Sequence, residues 1–311
     1  VLTKMQIGLV SPVYVTWKPL NVDYIFLDYL VRTPPLLSSF LRFSSGVVQR
    51  RRSISKTGFL DVQIPFPPLQ EQQTMALILS RLQEAVERQD QIIKVARSIK
   101  QSLMKKLLRE GIGHHELHED DELGTIPKNW QAVRIGDILR VAQYGLSAKG
   151  SENGHYPILR MNNLEDGRLV LDDLQYVDLD DNTFRHFSLT KGDILFNRTN
   201  SIELVGKSSI FDLDGDYVFA SYLIRLHVRN ERILAEFLNH YLNWNETQRR
   251  LKGLASRAIG QSNISATRLR TLRISLPALA EQQEIVRTLA TVERKIELEE
   301  KRRTVLQQLF S

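Results

Sequence analysis

Three short runs in the second half of the chain carry the side-chain types that pair with nucleotide bases and phosphates. The first is Arg160 with Asn162 and Asn163; the second is Asn197-Arg198-Thr199-Asn200-Ser201, followed by Lys207. The third is Ser256 to Asn263, in which Arg257 and Gln261 stand among small polar residues. A guanidinium can pair bidentately with guanine, and an Asn or Gln amide matches the adenine edge. Lys, Ser, Thr and backbone N–H groups more often hold phosphate and set register. Each run taken alone also reads as ordinary turn chemistry, because Asn, Ser and Gly dominate loops. Three such runs on one basic segment favour contact with a polyanion. Arg198 and Arg257 are the leading base-contact candidates, each being flanked by side chains small enough to let a partner's backbone approach.

Other chemistries find less support. His114 and His118 stand four apart beside Glu119, Asp120, Asp121 and Glu122, a spacing able to ligate a metal on a helix. Flanked by Gly111 and Gly113, the run reads instead as a solvated hinge. Asp193, Glu203 and Lys207 are the residue types of a metal-dependent nuclease, but the carboxylate-x-Lys spacing is missing, and Asp193 after Gly192 reads as closing a turn. No Gly-rich dinucleotide loop, Walker loop, Gly-x-Ser-x-Gly elbow or His-Glu-x-x-His occurs. The Asn/Asp-Pro-Pro-aromatic motif of amino-methyltransferases is absent too, Thr33-Pro34-Pro35-Leu36 being the nearest sequence. The expectation is a non-catalytic chain with no metal and no cofactor.

The elements that must position these groups repeat. Ile64, Pro67, Leu69, Glu71, Gln72 and Gln73 return at a constant offset as Ile274, Pro277, Leu279, Glu281, Gln282 and Gln283, each time opening a long charged helix. The same register places Ser55 on Ser265, Ile54 on Ile264 and Glu87 on Glu297. A period this long means duplicated domains rather than a solenoid. Residues 1 to about 110 match only the second half of the later unit, so a complete first unit is expected to begin ahead of Val1.

Periodicity predicts a helix from Gln70 to about Arg109, with Met75, Ile78, Leu82, Ala85, Gln89, Ile92, Ala96, Ile99 and Leu103 as a coiled-coil seam. A second helix after Pro277 repeats the stripe at Ile285, Leu289, Val292, Ile296, Leu306 and Phe310, interrupted by Glu299 and Arg303. The two are expected to lie antiparallel, with Gln89 either fixing register through a buried polar contact or sitting at the solvated edge. Between them, 114–124 reads as a polar linker and 125–277 as a domain. Strands are expected at Val133–Val141, Tyr156–Met161, Leu169–Val177, Asp193–Asn197 and Tyr217–His227, and helices at Arg232–Leu242 and around Glu246–Leu251. Without regular β-α alternation, the fold class is α+β: globular mixed domains joined by two long antiparallel helices.

Composition agrees with a soluble chain of more than one domain. Cysteine is absent, which removes disulfides and thiol chemistry and suits a reducing, cytoplasmic setting. No apolar run reaches the length of a membrane span. The net charge of +6 is uneven: 1–66 and 125–276 are basic, whereas 67–124 is net acidic and 277–311 neutral. That distribution fits globular parts that meet a polyanion and helices that meet protein.

An Ile-x-x-Pro-x-Leu-x-Glu-Gln-Gln motif opening a long helix (Ile274–Gln283), a Gly-Asp-Ile-Leu segment followed by Asn-Arg (Gly192–Arg198) and an Ile-Pro-x-x-Trp opening (Ile126–Trp130) resemble the specificity subunits of type I restriction-modification systems. The resemblance spans nearly the whole chain, and the duplicated Pro-x-Leu-x-Glu-Gln-Gln is its most specific part. It implies two target-recognition domains that each read half of a split double-stranded DNA sequence, kept apart by two spacer helices. By that resemblance, 1–66 is the tail of the first recognition domain, 67–113 the central spacer helix, 125–277 the second recognition domain and 278–311 the C-terminal spacer helix. It further implies two modification subunits, which bind S-adenosylmethionine and methylate adenine, and through them restriction/translocase subunits. The helices, with charges such as Glu84, Arg88, Arg97, Glu293 and Arg294, would dock them. Two other readings are the recognition portion of a larger fused methyltransferase-nuclease and a coiled-coil scaffold that never touches DNA.

Overall fold

A computed structural model describes residues 16–46, 53–258 and 261–310, with side chains for all of these except 257, 258 and 310. The chain divides into two compact units, one of residues 1–94 with 298–311 and one of 95–297. In the first, α1 (Tyr24–Leu30) starts at Asp23, whose carboxylate accepts from the N–H groups of Ile25 and Phe26 at 3.0 and 2.8 Å. Helix α2 (Pro34–Arg42) starts on proline, where the missing N–H costs nothing. Strand β1 (Ser44–Ser45) pairs antiparallel with β2 (Ser53–Ile54). The Ser55 hydroxyl then caps α3 (Lys56–Leu60), and the long α4 (Leu69–Glu110) begins.

The second unit opens, after the end of α4, with a hairpin of β3 (Leu117–Asp120) and β4 (Gly124–Pro127). There follow β5 (Gln131–Arg134), α5 (Ile135–Ile138), β6 (Leu139–Tyr144), β7 (Tyr156–Leu159) and a 3-10 turn at Met161–Asn163. Next come β8 (Leu164–Glu165), β9 (Arg168–Leu169), β10 (Gln175–Val177), α6 (Asp181–Phe187), β11 (Ile194–Asn197) and β12 (Thr199–Asn200). Strands β13 (Ser208–Ile210), β14 (Val218–Phe219) and β15 (Leu223–Val228) precede α7 (Ala235–Asn243) and α8 (Asn245–Leu254). The order closes with β16 (Ser256–Ala258), β17 (Gln261–Asn263), α9 (Ala266–Thr271), β18 (Arg273–Leu276) and α10 (Leu279–Phe310). A four-stranded sheet in the order β13-β11-β15-β6 holds the centre, and β10-β7-β14 and β12-β17-β16 form three-stranded sheets. Phe196, Ile224 and Leu226 of the central sheet pack with Phe237, Leu238 and Tyr241 of α7, and with Ile285 and Leu289 of α10, in one continuous core. The α+β class read from the sequence is the class observed.

The duplication is visible element by element. The series α1, α2, β1, β2, α3, α4 in the first unit corresponds to α7, α8, β16, β17, α9, α10, and both two-strand pairs are antiparallel. Ser265 caps α9 as its counterpart Ser55 caps α3, at 3.2 and 3.0 Å. The middle Gln of the repeated motif is fully buried in both copies. Gln72 accepts from the N–H of Asp23 and donates to the Pro67 carbonyl, at 2.8 and 2.7 Å. Gln282 accepts from the N–H of Leu234 and donates to the carbonyls of Pro277 and Arg232, at 2.9, 2.9 and 3.1 Å. In each case one amide ties the first turn of a long helix to the residue that caps a short one.

Several expectations change. The Val133–Val141 strand is interrupted by α5, where the Asp137 carboxylate accepts from the Arg134 N–H. The segments 169–177 and 217–227 are each split into two strands, and the 232–242 helix starts at Ala235. The 114–124 segment, read as a polar linker, carries β3. Asp120 accepts from the N–H groups of Leu123 and Glu122, both at 3.0 Å, and takes a forked Arg273. Those two backbone bonds, with Arg273 beside them, hold its carboxyl below the usual carboxylate range.

The α4 seam is also displaced. Its buried stripe is Gln72, Ala76, Gln89, Ile93, Ala96, Met104, Leu107 and Leu108, whereas Met75, Ile78, Ile92 and Ile99 of the expected seam are exposed. Gln89 and Ala96 of the expected seam are buried together with Ile93, Met104, Leu107 and Leu108, while Met75, Ile78, Ile92 and Ile99 face outward. In α10, Ile285, Leu289 and Ile296 are buried as expected, and so is Glu299, which was expected to interrupt the stripe. Gln89 donates to the Glu299 backbone carbonyl and to its carboxylate, so the register-fixing reading of Gln89 holds. Within the second unit, Ile112 meets Glu281 and Lys100 meets Glu293, the order of antiparallel helices.

Candidate nucleic-acid interface

The three polar runs, scattered in sequence, converge on one corner of the second unit. Thr199 and Asn200 of β12 pair with Asn263 and Ser262 of β17, which in turn pairs with β16. The second and third runs therefore share a small sheet. The first run joins it through Asn200, whose side-chain N–H donates to the Met161 sulfur at 3.3 Å.

Arg198 is the hub of this corner rather than its tip. Its backbone N–H donates to the Tyr222 carbonyl at 3.0 Å, and the Ile264 N–H donates to its carbonyl at 2.8 Å. The guanidinium reaches the Ser221 carbonyl and the Asn263 side-chain oxygen, both at 3.3 Å, and lies 4.7 Å from the centre of the Tyr144 ring. Tyr144 is pinned in turn, because its hydroxyl accepts from the Ala266 N–H at 2.9 Å. One arginine thus ties together the β11–β12 corner, the loop between β14 and β15, the end of β6 and the return hairpin.

The other candidates sort by how far they are already engaged. Asn163 is buried, accepting from the Arg160 N–H and donating to the Val170 carbonyl, both at 2.9 Å. Asn197 is buried and donates to the Leu204 carbonyl; Thr199 is buried and accepts from Asn263 at 2.9 Å. These three shape loops. Arg160 and Asn162 both donate to the exposed Asp173 carboxylate, at 2.8 and 2.7 Å. Asn200, Ser201 and Gln261 retain solvent-facing surface. Arg257 belongs to β16 opposite Ser262, but its side chain lies outside the described residues, and so does the Arg50-Arg51-Arg52 run that the repeat offset sets opposite Gly260-Gln261-Ser262.

Lys207 opens onto a separate cavity of about 410 Å³, lined also by Arg97, Arg168, Lys252, His240 and Glu293. Glu293, read from sequence as an exposed docking charge, is paired with Lys100 at 2.6 Å on this inner side. Burial holds the His240 imidazole below its ordinary value, opposed by the nearby Glu293 carboxylate. Glu203 lines the same cavity, and its carboxyl is lowered by a Ser201 hydrogen bond and by Lys252.

The nuclease-like set does not assemble. Asp193 is buried away from that cavity, accepting from Thr190 at 2.8 Å and bonding His227 at 2.8 Å, and it closes the turn expected of it. The His114–His118 pair is likewise divided. His114 bonds the Glu281 carboxylate, which also accepts from the Ile112 N–H and the Trp130 indole, while His118 sits on β3. Among the described residues no cluster of three metal-ligating side chains occurs. Sequence reasoning missed Tyr144, Asp173 and Tyr222. Tyr144 lies beyond the expected Val133–Val141 strand, and Asp173 and Tyr222 lie inside expected strands that the structure breaks into loops, so the sequence carries no signal that brings them to the runs.

The family profile described as Type I restriction modification DNA specificity domain matches residues 18–97 and 127–308. The type I restriction enzyme MjaVIII specificity subunit of Methanocaldococcus jannaschii is 27% identical over 307 residues, covering 94% of this chain and 69% of that protein. The EcoKI specificity subunit of Escherichia coli K12 is 24% identical, covering 76% of this chain and 51% of its own. A further M. jannaschii relative, 31% identical over 201 residues, is covered over only 47% of its length, so the chain spans about half of several curated relatives. In fold, the chain is similar to the type I restriction-modification S subunit from M. genitalium, with a TM-score of 0.59 at 16% identity, covering 94% of this chain and 72% of that one. With both copies of the repeat inside the matched segments, the chain belongs to the family of type I restriction-modification DNA specificity domains.

Proposed function

We propose that this chain is the sequence-reading, non-catalytic component of a type I restriction-modification complex, and that residues 125–277 read one half of a bipartite double-stranded DNA target. The observation that carries the reading is the convergence of the three polar runs on a single corner, braced from behind by Arg198. Asn162, Asn200, Ser201 and Gln261, with Arg257, are the proposed base and backbone contacts, and Arg160, Asn163, Asn197, Arg198 and Thr199 position them. Lys207 is the proposed phosphate contact. Direct readout needs donors and acceptors at fixed positions, and the strand pairings that carry Asn200 and Gln261 support this reading.

The long helices are the proposed docking surface for two modification subunits and, through these, for restriction/translocase subunits, in the cytoplasm. In the first unit the support is an apolar face of α4 and α10 left open at Met75, Ile78, Ile92, Leu298 and Val305, alongside the exposed Glu84–Arg88 pair. Unburied apolar area of this kind marks a protein contact. No described helix is long and apolar enough to cross a membrane.

Sequencing methylated adenines in cells carrying the complete system tests the reading. Replacing Asn200 and Gln261 with Ala is expected to relax one half of the methylated motif and leave the other unchanged. A motif unaltered in both halves would refute the assignment.

A further inference from the structure

Tyr222 lies directly across from Arg198, one position beyond the paired Asn197 and Leu223. Tyr222 is 47% exposed, and among the described residues its hydroxyl meets no hydrogen-bond partner. Tyr144, 43% exposed, flanks the same guanidinium, and Met161, 37% exposed, touches Asn200. Three apolar groups therefore stand among polar ones at the corner where the candidate base contacts meet.

The backbone beneath Tyr222 is tightly held. Leu146 donates to the Phe219 carbonyl at 2.8 Å, and the Ser221 N–H donates to the Leu146 carbonyl at 2.9 Å. Gly145 faces the same loop so closely that a Cβ there would stand 2.3 Å from the Ala220 carbonyl oxygen. The Tyr222 ring is thus presented by a rigid loop, not by a flexible one. A tyrosine ring has only two side-chain torsions and costs little entropy to immobilise.

We propose that Tyr222 is a specificity-determining residue that reads a thymine through apolar contact with its 5-methyl group in the major groove. The major groove presents that methyl only at A·T pairs, and apolar side chains are its natural partners. Hydrogen bonding from the amides of Asn200 and Gln261 cannot sense it. This inference rests on the DNA-reading assignment above and adds to it one residue and one base-pair type.

The test is selection of duplexes from a randomised library by the full chain assembled with its modification subunits, using wild type, Tyr222→Ala and Tyr222→Phe. Wild type and Tyr222→Phe are expected to return one motif, and Tyr222→Ala the same motif with preference lost at one A·T pair. Replacing that thymine with deoxyuridine in the selected duplex should weaken wild-type binding about four-fold, the worth of one buried methyl, and leave Tyr222→Ala unaffected. An unchanged motif with Tyr222→Ala, a uniform loss at all positions, or a lost preference at a G·C pair each overturns the proposal. A wild-type selection that returns no motif overturns the DNA-reading assignment itself.

Discussion

Replacing Arg198 with Ala separates a base reader from a brace. The side chain makes two charge-assisted bonds at 3.3 Å, to the Ser221 carbonyl and Asn263, and stacks on Tyr144 at 4.7 Å. Bonds near the long limit contribute about 1 kcal/mol each, and a partly exposed cation–π contact about 0.5–1 kcal/mol. Arg198→Ala is therefore expected to destabilise the second unit by about 2–3 kcal/mol. Urea denaturation of the full chain reads this well, because the buried Trp130 and Trp244 both belong to that unit. In DNA selection the same variant should blur several base-pair positions together, since the loops carrying Asn200, Tyr222 and Asn263 all lose their common anchor. Stability unchanged within about 0.5 kcal/mol, joined to loss of preference at a single base pair, would refute the reasoning and make Arg198 a direct reader.

Gln282→Leu should cost about 2–5 kcal/mol in the same denaturation assay, because it strands the Leu234 N–H and two carbonyls in a fully buried site. Gln72→Leu, which breaks two bonds, should cost less. Lys207→Ala should weaken binding equally on target and random duplexes and reduce the slope of log affinity against log salt by about 1. His240 is held neutral by burial, its folded value lying below the ordinary 6.5, so the unfolded chain takes up the proton first. Stability from this group is present above about pH 6.5 and is lost as pH falls below it. Comparing urea midpoints at roughly pH 8 and pH 5.5 should show a drop that His240→Gln reduces; an equal drop in the variant would remove His240 as its source.

Much of the architecture is legible in the sequence because a repeat constrains twice. Ser55 and Ser265, or Gln72 and Gln282, are unremarkable singly, but their recurrence at one offset marks positions where backbone groups need a partner, and both pairs supply one. The α4 seam is less legible, because a charged helix with apolar residues on more than one face offers more than one stripe. Periodicity favours the larger side chains, Ile78, Ile92 and Ile99. Of the predicted stripe the fold buries Gln89 and Ala96, joins Ala76 and Ile93 to them, and leaves those three isoleucines exposed.

The candidate site divides along the same line. Which residue types can meet a base is a matter of chemistry, and the three runs do converge. Which of them are free to do so depends on pairings between segments far apart in sequence: Arg198 with Ser221 and Asn263, Arg160 with Asp173, Thr199 with Asn263. Arginine is favoured in recognition because its planar fork binds two acceptors at once, and the same property lets it brace loops from within. A guanidinium among short polar residues therefore marks a corner built for contact without saying which way it points. At this corner it points inward, and the groups left facing outward are amides, hydroxyls and two tyrosine rings.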